Sequence, residues 1–301
     1  MPKVRISCVQ YLNTAPLVWG FTHGPLQDKY DLSFTLPSQC AEQLARGEAD
    51  VAIIPAIECQ RIAGLTVLPG IAIASKNAVR SLLVVSRVPI EHVQRLALDT
   101  SSRSTVALVR LLAAGWWSRR GARIEFAPAA PDLAAMLDEH DAALIIGDPA
   151  LRIAERYDAG EALLPGSRFK KLQIYDVISE WRAWTGRPGV LALWAARRGV
   201  ATPELLADFE ASKEYGLAHL PEIAANASAT LGLPQAHLED YLRENIDYSL
   251  DEENRAGLSL YFEKAASAGL IPLARPLDYF GKPAGAASRV AGVETERKQV
   301  L

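Results

Sequence analysis

The sequence carries a run of hydroxyl side chains that is suited to binding an anion. Residues 100–105 read TSSRST, and they lie between an apolar segment typical of a strand and one typical of a helix. The free N–H groups at a helix N-terminus carry partial positive charge, and hydroxyl donors beside them complete an anion site. A charge-assisted hydrogen bond contributes about 1.5–3 kcal/mol, so a few of them would hold a carboxylate. The pattern is equally consistent with a well-capped helix that follows a hydroxyl-rich loop.

Asn13 and Thr14 occupy a similar position after the first strand-like segment. An amide and a hydroxyl at this place could orient a ligand from the opposite side of a cleft. Helix capping accounts for both residues more simply. Two such helix starts that faced one another would suit a ligand with two carboxylates.

Asp148 is the candidate proton donor. It follows Gly147 at the end of an apolar run and precedes Pro149. A carboxyl group in a cleft can act as a general acid when its surroundings raise its pKa. A turn or a helix cap accounts for Asp148 more simply. Glu58, which follows another apolar run, is a weaker candidate of the same kind.

Alternating strand and helix signals surround these polar segments. Apolar or alternating runs predict strands at residues 4–8, 32–36, 51–54, 71–74, 82–85, 96–98, 124–126, 142–146 and 190–195. Helices are predicted between them, including one capped by Ser38 and closed by Gly47, one over 106–114, and one over 133–137 capped by Asp132. From Thr202 onward the pattern is helical only.

This order of elements predicts an α/β protein with two lobes and mostly parallel sheets. We assign residues 1–92 to the first lobe, 93–189 to the second, and 190–280 to a largely helical return to the first. A flexible tail is expected over residues 281–301. Because ligands of open α/β sheets bind at the carboxyl ends of strands, the three polar segments are expected to meet at a cleft between the lobes.

The composition disfavours several classes of partner and cofactor. The net charge is −3 and no basic stripe is present, so neither nucleic acid nor an anionic membrane is an expected partner. The sequence has no bilayer-length apolar run and no signal-peptide core, and we expect a cytoplasmic protein. Three cysteines and five scattered histidines show no metal-ligand spacing, and nucleotide-binding motifs are absent. We therefore predict no metal and no cofactor, and leave the oligomeric state open.

An ordered series of motifs resembles the chorismate dehydratases of menaquinone biosynthesis. The series consists of QYLNTAPL at 10–17, PGIAI at 69–73, SRVP at 86–89, TSSRST at 100–105, AALIIGDPAL at 142–151, WRAWTG at 181–186 and LWAAR at 193–197. Each motif is short, but the series runs in order from about residue 4 to residue 197. The resemblance implies a two-lobed fold like that of type II periplasmic binding proteins, with mixed, mostly parallel sheets and a helical C-terminal segment.

The resemblance also implies a reaction, with chorismate as the small-molecule partner. Chorismate would lose water to give 3-[(1-carboxyvinyl)oxy]benzoate, which feeds the futalosine route to menaquinone. Ser102, Ser104 and Thr105 would bind one carboxylate, and Asn13 would orient the enolpyruvyl arm or the C4 hydroxyl. Asp148 would protonate the leaving hydroxyl, and the substrate's own enolpyruvyl carboxylate would serve as the base. Further substrate contacts are expected from Thr14, Ser101, Arg103 and Gly147.

One position departs from the pattern of that family. Family members place a large apolar side chain where this sequence has Gly189, so another residue must fill that place or the pocket is wider. Three alternatives stay open: a cytosolic binding protein for a small carboxylate, the related lyase that cleaves a cyclic futalosine derivative, and the effector lobe of a transcription regulator. The lyase calls for a histidine in the cleft and the regulator for a DNA-binding module, and the motifs indicate neither.

Overall fold

The computed structural model describes residues 3–169 and 171–281, whose strands form two separate sheets. In chain order the strands are β1 (Arg5–Val9), β2 (Asp31–Thr35), β3 (Val51–Pro55), β4 (Leu65–Ser75), β5 (Leu82–Ser86), β6 (Arg95–Asp99), β7 (Glu125–Ala129), β8 (Ala142–Ile146), β9 (Gln173–Asp176), β10 (Gly189–Arg197) and β11 (Asp247–Ser249).

Helices flank both sheets and form most of the C-terminal part of the described chain. They are α1 (Ala15–Thr22), α2 (Pro37–Arg46), α3 (Glu58–Arg61), α4 (Ser104–Gly115), α5 (Leu133–Glu139), α6 (Gly147–Asp158), α7 (Val177–Thr185), α8 (Pro203–Ala218), α9 (Leu220–Leu231), α10 (Gln235–Asp240) and α11 (Glu252–Ser267). Short 3-10 turns lie at Leu12–Thr14, Ile90–His92 and Trp117–Arg120, and a π-helical turn lies at Tyr241–Asn245.

Each sheet is mixed, with four strands running in one direction. The first sheet has the order β11-β4-β10-β3-β1-β2, in which β10 is antiparallel to both of its neighbours. The second sheet has the order β7-β6-β8-β5-β9, in which β5 is antiparallel to both β8 and β9. The expected α/β fold with mixed sheets is confirmed. The short strands β9 and β11 were not predicted.

Within the described residues the chain crosses between the lobes twice. It leaves the first sheet after Ser75 and enters the second at Leu82, and it returns between Thr185 and Gly189. The strand β5 therefore belongs to the second sheet, although the boundary placed at residue 92 assigned it to the first lobe. The apolar run of β5 is local information, whereas its sheet partner β8 lies about sixty residues further along the chain.

The strands that the sequence identified most clearly are the buried central ones. Every residue of β3 and of β8 is buried, because helices or loops cover both faces of those strands. Trp194 of β10 packs edge-on against Phe209 of α8, with ring centroids 4.7 Å apart. The C-terminal helices thus cover the sheet to which β10 returns the chain.

Local capping signals had mixed outcomes. The side chain of Asp132 accepts from the Ala135 N–H at 3.1 Å, and Gly47 ends α2 with a φ of 72°, as the sequence predicted. Ser38 is not a cap, because α2 begins at Pro37. The expected tail over 281–301 lies outside the described residues except for Gly281. Among the described residues, no helix combines the length and the apolar character needed to cross a bilayer.

Candidate functional site

Polar segments of the two lobes meet in what we call the interlobe seam. The seam consists of residues 11–14, 38 and 57 from the first lobe and residues 101–105 and 147–148 from the second. The Ser38 N–H donates to the Ser101 carbonyl at 3.2 Å, and the Ile57 N–H donates to Ser104 Oγ at 3.2 Å. The loop between β6 and α4 therefore faces the first lobe, as the sequence predicted.

Most polar side chains of the seam are buried. Asn13 and Ser38 are each 9% exposed and Ser102 is 8% exposed. Four further side chains lie below 5%, namely Thr14, Ser101, Ser104 and Thr105. Buried polar groups need hydrogen-bond partners, and a site that binds an anion needs donors with hydrogens left to give. The hydrogen bonds of each side chain therefore decide what it can do for a ligand.

The Ser101 hydroxyl is already committed to Asp99, the last residue of β6. Ser101 donates to Asp99 Oδ1 through its hydroxyl at 2.6 Å and through its N–H at 2.8 Å. Burial raises the pKa of Asp99, and these two hydrogen bonds lower it in part. Because a hydroxyl has one hydrogen, Ser101 cannot also donate to a ligand while this bond persists. Sequence reasoning missed Asp99, although an acid that closes an apolar strand is a visible signal.

The other hydroxyls of the run keep hydrogens to donate. Ser104 Oγ accepts from the Ile57 N–H, which leaves its own hydrogen free. The Ser102 and Thr105 hydroxyls make no hydrogen bond within the described ranges. The first intrahelical bond of α4 runs from the Ala107 N–H to the Arg103 carbonyl at 3.1 Å, so the N–H groups of the preceding turn lack helical partners. This cluster of donors can stabilise a carboxylate.

Arg103 points at carboxylates of the first lobe. Its guanidinium lies 2.6 Å from Glu42 Oε1 and 3.0 Å from Glu58 Oε2. The buried Glu58 carboxylate also pairs with Arg61 at 2.8 Å. In this structure Arg103 therefore ties the start of α4 to the first lobe, and Glu58 is held as the shared partner of two arginines.

Asp148 also connects the two lobes. Its Oδ1 accepts from the Leu12 N–H at 2.9 Å, so it caps the 3-10 turn that contains Asn13. Burial raises the pKa of Asp148, against the lowering effects of that hydrogen bond and of the Arg152 charge. Asp148 makes no side-chain cap for its own helix α6, and local capping therefore does not account for it.

Gly147 is required by the packing of Tyr11. Its φ is 67°, and a Cβ built there would lie 2.7 Å from three carbons of the Tyr11 ring. The Tyr11 hydroxyl lies 3.5 Å from Ser101 Oγ, to which it donates because the Ser101 hydrogen points to Asp99. The Tyr11 ring thus packs on Gly147, which follows β8, and its hydroxyl contacts Ser101, which follows β6.

The Asn13 amide oxygen accepts a hydrogen bond from the next residue. Thr14 Oγ1 donates to Asn13 Oδ1 at 3.4 Å. Neither Asn13 nor Thr14 caps α1 through its side chain, so the capping interpretation is wrong for this turn. The Tyr241 hydroxyl, in the helical C-terminal region, donates to Ser81 Oγ at 2.8 Å just before β5, and the sequence offered no signal for this contact.

The space that Gly189 leaves is filled by Ile178. A Cβ at position 189 would collide with the Ile178 Cδ1 atom. Ile178 of α7 therefore occupies the space that a side chain at position 189 would need.

An apolar pocket of about 310 Å³ borders the seam at Tyr11, Leu12 and Asp148. Trp19 and His23 also line it, and no Lys or Arg occurs among its described lining residues. Such a lining does not suit a dicarboxylate. Within residues 3–169 and 171–281, no group of three His, Cys, Asp or Glu side chains is placed to hold a metal ion.

Comparison with known proteins identifies related sequences along most of the chain. The family model for menaquinone biosynthesis matches residues 4–267. A protein of Thermus thermophilus named chorismate dehydratase is 29% identical over 272 residues, which cover 84% of this chain and 92% of that protein.

Solved structures share the fold at low sequence identity. Protein AF1704 from Archaeoglobus fulgidus superposes with a TM-score of 0.69 at 20% identity and covers 89% of this chain and 98% of its own. The periplasmic aliphatic sulphonate binding protein SsuA from Escherichia coli superposes with a TM-score of 0.60 at 16% identity and covers 100% of this chain and 99% of its own. The two-lobed architecture is therefore that of periplasmic binding proteins.

Proposed function

Because the chain belongs to the menaquinone biosynthesis family, we propose that it is a chorismate dehydratase, a hydro-lyase that converts chorismate to 3-[(1-carboxyvinyl)oxy]benzoate. The family match over residues 4–267 carries this proposal, and the name of the Thermus thermophilus relative supplies the substrate. The proposal includes the futalosine route as the fate of the product. It also includes a cytoplasmic location, with which three free cysteines are compatible.

The proposed reaction removes one hydrogen from C3 and the hydroxyl from C4 of the chorismate ring. The C3 hydrogen is conjugated to the ring carboxylate through a double bond, so its removal gives an anion delocalised onto that carboxylate. The two ring oxygens are trans, and the departing hydrogen and hydroxyl therefore share one face. This geometry disfavours a concerted anti elimination and favours a stepwise one, in which the C4–O bond breaks second and the ring becomes aromatic.

In the proposed site, hydrogen-bond donors of the seam face the ring carboxylate, on which negative charge builds. In the proposal, the hydroxyls of Ser102, Ser104 and Thr105, with the N–H groups of the first turn of α4, bind the ring carboxylate. Preorganised donors of this kind stabilise developing negative charge most effectively away from bulk water, and these side chains are buried. Ser101 contributes indirectly, because its hydroxyl donates to Asp99 and accepts from the Tyr11 hydroxyl.

Proton transfers in the proposal use the substrate and Asp148. The enolpyruvyl carboxylate takes the C3 proton, because the neutral Asn13 amide is not a base at pH 7. Asp148, whose pKa is raised by burial, gives a proton to the departing C4 hydroxyl, which leaves as water. Transfer of the proton from the enolpyruvyl carboxylate to Asp148 restores both groups. Asn13 orients the enolpyruvyl arm or the C4 hydroxyl.

Incubation of the purified protein with chorismate tests the proposal. We expect a product lighter by one water and a rise in aromatic absorbance, both abolished in Asn13→Ala. Unchanged chorismate, bound at a stoichiometry of one, would instead favour a carboxylate-binding protein. The rival futalosine-derivative lyase would show turnover only with its own substrate.

A further inference from the structure

Asp99 is a buried acid with an uneven hydrogen-bond pattern. The residue ends β6 and is 1% exposed. Its Oδ1 accepts from the N–H and the hydroxyl of Ser101 at 2.8 and 2.6 Å, whereas Oδ2 is buried and forms no hydrogen bond within the described residues. An ionised carboxylate shares its charge between both oxygens, and a buried charge needs donors. Part of the charge of an ionised Asp99 would therefore lie on an oxygen that is shielded from solvent and lacks a donor at hydrogen-bond distance.

No salt bridge in the described part of the chain balances the charge of Asp99. Opposite it on β7 lies the alanine at position 129. The titratable groups of the other elements around it are, in chain order, Tyr11, Glu42, Glu58, Arg103 and Asp148. Arg103, the cation of this set, is paired with both glutamates. Burial raises the pKa of Asp99, although the Ser101 hydrogen bonds and the Ile146 N–H lower it in part.

The turn after β6 places this carboxyl beside the donors proposed to bind the ring carboxylate. The Ser102 N–H donates to the Asp99 carbonyl at 3.3 Å, which closes a four-residue turn. Such a turn keeps its first and last Cα atoms within about 7 Å of each other. At an effective dielectric constant of about 20, two carboxylates about 7 Å apart repel enough to change an equilibrium constant roughly 50-fold. An ionised Asp99 would therefore oppose a ligand carboxylate held by the Ser102 hydroxyl.

We propose that Asp99 takes up a proton from solvent when a dicarboxylate binds in the interlobe seam. The proton adds to Oδ2, because Oδ1 is engaged by Ser101, and the neutral acid keeps both Ser101 bonds. The ligand carboxylate then meets the donors at the start of α4 without an unpaired negative charge beside them. The inference rests on the proposed dehydratase for the identity of the ligand. It makes Asp99 a positioning residue, with no contact to the reacting atoms.

Binding of 3-[(1-carboxyvinyl)oxy]benzoate tests the inference, because this product keeps both carboxylates and loses no further water. The Kd should be lowest below the pKa of Asp99 in the free protein, rise as the pH increases through that pKa, and level off roughly 50-fold higher. Calorimetry in two buffers of different ionisation enthalpy should show uptake of as much as about three-quarters of a proton per ligand. A wild-type Kd that stays constant over about pH 4–9, with no proton taken up, would overturn the inference.

Asp99→Asn is the decisive variant, because Asn is neutral like the protonated acid and keeps an oxygen for Ser101. It should bind at every pH with the low-pH Kd of the wild type and take up no proton, and uptake that persists would refute the proposal.

Asp176→Asn is the matched control. Asp176 ends β9, three strands from β6 in the same sheet, and burial raises its pKa too. Its two oxygens accept from four backbone N–H groups, so it has no unsatisfied oxygen that favours a proton. The wild-type uptake should remain in this variant and in Asp148→Asn. Uptake that is lost in Asp148→Asn but kept in Asp99→Asn would assign the proton to Asp148, and the inference would be wrong.

The outcomes separate this inference from the proposed function. If the wild type leaves chorismate intact but binds the product with proton uptake that Asp99→Asn abolishes, the dehydratase proposal fails and the role of Asp99 stands. If the wild type is active and takes up no proton, the inference alone fails, and a wild type that binds no dicarboxylate overturns both. If Asp99→Asn does not fold, the infrared carbonyl band of a protonated carboxyl in the wild type decides. That band should grow on binding, and an unchanged band would refute the inference.

Discussion

Replacing Asp148 with Asn tests the proposed proton donor, because Asn keeps an oxygen for the Leu12 N–H but lacks an ionisable proton. A hydrogen bond to a charged acceptor contributes about 1.5–3 kcal/mol and a neutral one about 0.5–1.5 kcal/mol. The structural part of the change is therefore about 1–1.5 kcal/mol, which lowers the rate by about 5- to 15-fold if all of it is lost in the transition state. Loss of general acid catalysis costs about 100- to 10,000-fold. The two explanations differ enough for one kcat measurement to separate them.

The pH dependence of the same variant gives an independent check. Burial raises the pKa of Asp148, and a general acid works only when protonated. The wild-type kcat should therefore be highest below the raised pKa and should fall as the pH rises through it, whereas Asp148→Asn should lack this limb.

Stability provides the control for the Asp148 variant. Because the folded-state pKa is above the unfolded value, the stabilising contribution of Asp148 is complete below the unfolded pKa and is lost as the pH rises through the folded one. The pKa of Asp148 is raised despite the Leu12 hydrogen bond, so burying its charge at neutral pH costs more than that bond contributes, and the Asn variant should unfold at the wild-type temperature or above it. A kcat within 15-fold of wild type, with the falling limb intact, would refute the assignment of Asp148 as the acid.

Two further substitutions test the packing of the seam. Gly147→Ala should lower kcat/KM by displacing the Tyr11 ring. Gly160→Ala is the control, because Gly160 has a similar φ of 68° but open space around it. In a thermal melt both variants should show a backbone strain of about 1–2 kcal/mol, and Gly160→Ala should leave activity unchanged. Equal activity in both variants would contradict the packing argument. Ser101→Ala should raise the pKa of Asp99 further, because it removes a hydrogen bond to that carboxylate. The variant should therefore lose more melting temperature at about pH 8 than at about pH 5. Its KM for chorismate should stay near the wild-type value.

The parts of the site that the sequence could predict are those encoded locally. The hydroxyl run stands between the buried strand β6 and the helix α4 because apolar runs and polar loops are adjacent in sequence. The bond from Leu12 to Asp148 joins residues 136 positions apart, and that from Tyr241 to Ser81 joins residues 160 apart. No short-range pattern carries such pairings. The same limit explains why Arg103, conspicuous in the run, gave no sign of its carboxylate partner Glu42.

The pairing of Arg103 fits a site that must favour the transition state of the proposed reaction over its substrate. A free guanidinium in the seam would attract the two carboxylates of chorismate before reaction as strongly as afterwards, and binding of that uniform kind lowers KM without raising kcat. Arg103 already forms ion pairs with Glu42 and Glu58, so its charge is balanced within the protein. The donors that remain are the hydroxyl and N–H groups at the start of α4. Their hydrogen bonds strengthen as the ring carboxylate gains charge, and that gain is available only along the path to the aromatic product.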